Sequence, residues 1–256
     1  MSAAIIAEGV GKNYRTIAAL KTVSFSVEAG QVLAIIGPNG AGKTTLFKVL
    51  TGEVLPSHGT VRFGDVDVSR MPAHARAARG FGRTFQVARV FQNSTALDNV
   101  VVAIEARQRT AGNSPARWYQ FRASQSVIAE ADQALAAIGL ADKRDVEARF
   151  LSHGDKKRLE MALTLALRPG VLMLDEPTAG MSPTDRNQTV ELLTRIRKET
   201  GATMLLTEHD MDVVFGLADR VMVLNYGELV AIGTPAEIRA NKAVRELYLG
   251  EEVDHA

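Results

Sequence analysis

Gly37-Pro38-Asn39-Gly40-Ala41-Gly42-Lys43-Thr44 places three glycines, a lysine and a hydroxyl within eight residues. Glycines let a backbone wrap inward until several N–H groups point at one anion. The loop follows the apolar run 32–36 and opens a helical stretch that begins at Thr45 and runs through residue 50. A helix N-terminus adds partial positive charge at that point, and Lys43 adds a full one. The Thr44 hydroxyl is a suitable ligand for Mg²⁺. Standing alone, these residues would make a Gly-rich strand-to-helix turn. The strand before them and the helix after them turn the reading toward a bound phosphate chain.

Leu172-Met173-Leu174-Asp175-Glu176-Pro177 supplies a second centre. Asp175 ends a buried strand, where an isolated carboxylate is costly to ionise, so a cation or a donor is expected beside it. Glu176 projects from the strand terminus, where a base can polarise an attacking water. By itself an apolar strand ending in Asp-Glu-Pro is a strand followed by a turn; with the loop above it becomes the other half of a hydrolytic site. His209 also follows a buried strand, a position from which an imidazole reaches toward a terminal phosphate, although a single strand-end histidine is equally a structural residue.

These residues need a scaffold of parallel strands. Residues 32–36, 171–174, 203–206 and 221–224 are short unbroken apolar runs separated by helical stretches, the pattern of strands covered on both faces. Earlier, residues 5–10 read as a strand, and Val23, Phe25 and Val27 alternate with Ser24, Ser26 and Glu28, which implies an antiparallel sheet with one wet face. Leu97, Val100, Val101 and Ile104 recur at helical intervals, as do Val127, Ala131, Leu135 and Ile138, with a polar break at 107–114. The expected fold is α/β, with an N-terminal antiparallel flap and an inserted helical subdomain. Residues 156–167 and 235–249 are read as further helices.

The chain has 256 residues, with 30 Lys+Arg against 29 Asp+Glu and a net charge of +1, which encodes no bulk attraction to nucleic acid. Absence of cysteine excludes a disulfide scaffold, a thiolate metal site and a Cys nucleophile. No apolar run approaches the roughly 18 residues of a spanning helix, and residues 1–15 lack the pattern of a signal peptide. A membrane role is therefore expected to run through a partner. Residues 76–89, with Arg79 and Arg83, are read either as a solvated basic face or as a docking surface. The cation–aromatic stretch 117–122 is read as packing a loop onto its domain.

In the order and spacing of its motifs the chain resembles the nucleotide-binding subunit of ATP-binding cassette (ABC) transporters. Gln86 after Thr84-Phe85 stands at that family's Q-loop, and Leu151-Ser152-His153-Gly154-Asp155 at its signature. Ala179 to Pro183 stand at the D-loop, His209 at the switch histidine, and Tyr14 at the aromatic that stacks on adenine. The resemblance implies a P-loop NTPase (RecA-like) core formed by residues 1–86 and 159–256, with residues 87–158 as the helical subdomain. It implies ATP as the nucleotide and Mg²⁺ held by Thr44, Gln86 and Asp175. Lys43, Gln86, Glu176 and His209 are then the catalytic set. Tyr14, the loop from Gly37 through Pro38, Asn39, Gly40, Ala41 and Gly42 to Thr45, and Ser152, His153, Gly154 and Asp155 are then the nucleotide contacts.

The same resemblance implies a head-to-tail dimer, of identical or paralogous subunits, in which each ATP lies between one subunit's loop and the other's signature. Membrane permease subunits, and indirectly a solute-binding protein, would complete the system at the cytoplasmic face of the membrane, with no nucleic acid partner. Ser152 and Asp155 make an S-x-x-D box, a helix cap in its own right and also an anion site. The family usually has Gln or Glu, most often Gln, where Asp155 stands, so the acid is expected to place charge near the γ-phosphate, and Asp155→Gln to raise ATPase activity modestly. Arg83-Thr84-Phe85-Gln86, Arg158-Leu159-Glu160, Glu208-His209-Asp210-Met211, Gly233 to Ile238 and Leu247 to Glu251 are similar to subunits that energise uptake of branched-chain and hydrophobic amino acids, amides or urea. A lipopolysaccharide-export cassette and a non-transport cassette are the alternatives.

Overall fold

Two twelve-residue strands, β1 (Ala3–Tyr14) and β2 (Ile17–Glu28), pair as an antiparallel hairpin. The computed structural model, which describes residues 3–85, 88–110 and 123–253, shows β2 burying Leu20, Val23, Phe25 and Val27 while their neighbours face out. The alternation in sequence is thus a half-buried strand. β3 (Val32–Ile36) is buried at every residue and leads through the glycine loop into α1 (Lys43–Thr51). β4 (His58–Phe63) and β5 (Val66–Asp67) complete a four-stranded sheet of order β2-β1-β4-β5.

After α2 (Ala73–Ala77) and β6 (Phe81–Arg83) comes a helical stretch: α3 (Ala96–Thr110), α4 (Gln125–Ala137) and α5 (His153–Ala166). β7 (Val171–Asp175), α6 (Pro183–Thr200), β8 (Thr203–Thr207), α7 (Met211–Leu217) and β9 (Arg220–Asn225) return to the α/β pattern. β10 (Glu228–Gly233), α8 (Pro235–Ala240) and α9 (Lys242–Val253) follow. The second sheet has the order β10-β9-β3-β8-β7-β6, parallel except for β10. This is the α/β architecture of a P-loop NTPase core.

Why the central strands read as continuous apolar runs is plain from the two cores. Val32, Ala34 and Ile36 of β3 belong to a cluster with the helices α3 to α6, whereas Leu33 and Ile35 belong to another with α1 and the antiparallel sheet. Each strand therefore buries both faces.

Three expectations are corrected. Polar Arg107 to Thr110 continue α3, because Arg107 turns inward to Glu130 and to the carbonyl of Ala166. The C-terminal helical stretch is two helices broken at Asn241, whose extended backbone ends α8 and whose side chain accepts from the Val244 N–H. The basic stretch after residue 75 is not uniformly a solvated face: Arg76 is fully buried, donating to the carbonyls of Val49 and Leu50 at the end of α1 and of Ser69 and Met71. Burial pushes its guanidinium down to about 10. Arg83 points inward as well, toward the site.

Candidate functional site

Ligands of open α/β sheets bind at the carboxyl ends of the strands. Here three such ends lie side by side, since Ile35 and Asp175 are both in register with Thr207. The glycine loop leaves β3, Asp175-Glu176 leaves β7, and Glu208-His209 leaves β8. Between them lies a cavity of about 200 Å³, lined by Ala19, residues 39–45, Glu176 and His209.

Loop geometry explains the glycines. Gly37 and Gly42 have φ of 149° and 102°, and a side chain at Gly37 would come within 2.1 Å of the Leu224 carbonyl. Only glycine fits that approach. Lys43 folds over the loop, its ammonium donating to the carbonyls of Gly37 and, at 3.0 Å, of Pro38. Gly42 caps α1 without a side-chain acceptor, so the first N–H groups of the helix are presented to the cavity.

Asp175 has the cation its burial requires. Oδ2 accepts from Arg83 at 3.0 Å and Oδ1 from the Thr207 hydroxyl at 2.9 Å. Arg83 also pairs with Glu53, so a residue of the basic stretch is in fact an interior partner of this carboxylate.

Glu176 sits at φ 48°, left-handed backbone that a residue with a side chain adopts only when its surroundings force it. Its N–H donates to the Thr207 carbonyl and hydroxyl, both at 3.1 Å. Its carbonyl accepts from Lys157 at 2.8 Å and from the Ala179 N–H at 3.2 Å. The carboxylate lies 3.1 Å from His209 Nε2. Behind it, buried Glu208 accepts from the Thr178 N–H and hydroxyl at 2.8 and 2.6 Å, fixing the turn that follows Glu176.

Tyr14 does not line the cavity. It is 42% exposed at the end of β1, with the Lys12 ammonium 5.2 Å from its ring centre, on the hairpin whose Ala19 does line it. The signature residues Ser152 to Asp155 are not among the cavity lining either; they begin α5, where Ser152 Oγ accepts from the Asp155 N–H at 3.1 Å. His153 lies against Gly180. Gln86 and the stretch 117–122 fall outside the described residues.

The Asp155 side chain lies within a web of cations. It is 3% exposed, 2.6 Å from Lys143 and 2.9 Å from Arg158, and Arg158 reaches on to Asp185 at 3.3 Å. Burial alone raises its carboxyl, but the bonds from Lys143 and Ser152 and the charges of Lys143 and Arg158 outweigh that and hold it below the usual range. The expectation of a free negative charge facing the γ-phosphate therefore gives way to an internal ion pair.

Lys157, Glu160, Arg83 and Glu208 were not singled out as site residues in the sequence. Glu160 accepts from the N–H groups of Arg89 at 2.9 Å and Phe85 at 3.3 Å. A signal for two of them does exist: buried residues of α5 include 157, 160, 161 and 164, so Lys157 and Glu160 occupy the inner stripe of the helix.

A family model described as ABC transporter matches residues 20–179, and one described as branched-chain amino acid ATP-binding cassette transporter matches residues 228–254. The high-affinity branched-chain amino acid transport ATP-binding protein LivG of Salmonella typhimurium is 38% identical over 245 residues, covering 95% of this chain and 96% of its own. The lipopolysaccharide export system ATP-binding protein LptB of Acidithiobacillus ferridurans is 33% identical over 252 residues, 98% of this chain and 99% of its own. The crystal structure of the ADP conformation of MJ1267, an ATP-binding cassette of an ABC transporter, superposes with a TM-score of 0.84 at 27% identity, covering 98% and 99% of the two chains. With a phosphate loop, an Asp-Glu strand end and a histidine around one cavity, and these matches along nearly the whole sequence, the chain belongs to the ABC transporter family as an ATP-binding, ATP-hydrolysing subunit.

Proposed function

We propose that this chain hydrolyses ATP to energise import of branched-chain or related hydrophobic amino acids through separate membrane permease subunits. The observation that carries the hydrolytic part is the Glu176 carboxylate at 3.1 Å from His209, the two facing the glycine loop across one cavity. Support for amino acids as the solute comes from the C-terminal match at residues 228–254 and from LivG being nearer in identity than LptB. Among the described residues no helix is long and apolar enough to cross a membrane. In this reading the subunit works from the cytoplasmic face against its permeases.

Lys43 and the N–H groups of residues 39–45 bind the β- and γ-phosphates. Tyr14 stacks on the adenine. Thr44, Asp175 and Gln86 would hold Mg²⁺, a hard cation that suits their oxygen donors. Asp175 already faces a cation in Arg83. When bound, Mg²⁺ neutralises phosphate charge. Glu176 polarises the attacking water, and His209 holds the γ-phosphate in line. Ser152, His153, Gly154 and Asp155, at the start of α5, meet the nucleotide of a second subunit, identical or paralogous. Residues 87–158 form the subdomain that carries this signature. Closure and reopening pass to the permeases through the region of Gln86.

Glu176→Gln tests the reading. ATP binding is expected to persist within a few-fold while turnover falls at least about 100-fold, a loss in the range known for catalytic acid–base groups. Turnover close to that of the unaltered protein would refute the assignment.

A further inference from the structure

Lys157 is a cation placed among backbone carbonyls. The residue is 5% exposed on the inner face of α5, and its ammonium donates to the carbonyls of Glu176 at 2.8 Å and Ala179 at 3.0 Å. Among the described residues no carboxylate lies within 4 Å of it to form an ion pair. Burial lowers its pKa, against the opposing charges of Glu208, Glu176, Glu160 and Asp175. A methionine would fill such a space without that desolvation cost.

What the ammonium does is local. Glu176 is one of four described residues other than glycine with positive φ, and it is the one at the cavity. Strained backbone of this kind costs on the order of 1–3 kcal/mol and persists only where neighbours over-determine it. Thr207 secures its N–H from the β8 side. On the carbonyl side the side-chain donor is Lys157, reaching across from the signature helix.

We infer that Lys157 is a positioning residue for Glu176: its ammonium holds the left-handed backbone that aims the carboxylate into the cavity beside His209. The inference rests on the reading of Glu176 as the base. It also gives successive turns of α5 two duties, since its first turn carries the signature and its second turn carries the support of the chain's own reaction centre.

The test compares Lys157→Met, Lys157→Arg and Glu176→Gln with the unaltered protein, reading kcat, KM for ATP and the Kd of a fluorescent ATP analogue. Lys157→Met is expected to lower kcat about 10- to 100-fold, the scale of a misplaced catalytic group, with KM and Kd within about three-fold. Lys157→Arg, which keeps a cationic donor, is expected to recover much of the loss. If Lys157→Met does not accumulate in folded form, Lys157→Gln replaces it, with an intermediate kcat and unaltered Kd expected. A kcat within two-fold of the unaltered protein for Lys157→Met or Lys157→Gln, binding lost in step with turnover, or Arg no better than Met would each overturn the inference. Normal turnover in Glu176→Gln would remove the base reading and this inference together; an inactive Glu176→Gln beside a fully active Lys157→Met would remove this inference alone.

Discussion

Asp155 lies in the first turn of α5 with its side chain drawn in between Lys143 and Arg158. Asp155→Gln therefore removes an ion pair before it removes any repulsion of a nucleotide. The expected result is a loss of about 1.5–3 kcal/mol, the scale of a hydrogen bond to a charged group, read as a drop of roughly 3–10 °C in the thermal midpoint. No gain in ATPase activity is expected, contrary to what the family comparison alone suggested. The pH sign follows from a lowered carboxyl: Asp155 stabilises the fold in full above its unfolded pKa near 3.8, and that contribution disappears as pH falls through the still lower folded value. Denaturant midpoints of the unaltered protein and Asp155→Gln should thus converge as pH is lowered below about 4. Lys43, Thr44, Asp175 and Glu176 were singled out in the sequence because each stands in a short motif that follows or ends an apolar run. Lys157 and Arg83 were not, because their meaning lies in partners 19 and 92 residues distant.

At the scale of elements, continuous apolar runs against alternating ones separated the parallel core from the antiparallel flap, since burial on two faces or one is written directly in the period. Ends were harder. Helix α3 keeps going through Arg107, which pairs inward, and Asn241 divides a stretch with unbroken helical spacing. β6 has only three residues and leaves no period to read. The start of α8 is better defined: Thr234 and Glu237 form a complete capping box, with the Thr234 N–H donating to the Glu237 carboxylate at 2.7 Å. Thr234→Ala should cost about 1 kcal/mol, or 2–4 °C in the thermal midpoint. Its ATPase rate per folded molecule should be unaltered, because α8 contributes nothing to the lining of the cavity.

For the whole molecule, the two cores flank one sheet, and the cavity lies where that sheet ends. The phosphate loop, Glu176 and His209 converge there, but the capped start of α5 at Ser152 is not part of that lining. In the proposed reading a second copy, turned head to tail, brings a signature to each loop, and hydrolysis needs both. The most direct measurement is ATPase rate against protein concentration, with the association state followed by sedimentation in Glu176→Gln with ATP. The account expects specific activity to rise with concentration while subunits are mostly solitary and to level off once they pair, with ATP driving Glu176→Gln into a dimer. Full specific activity from a protein shown by sedimentation to remain a monomer would contradict it.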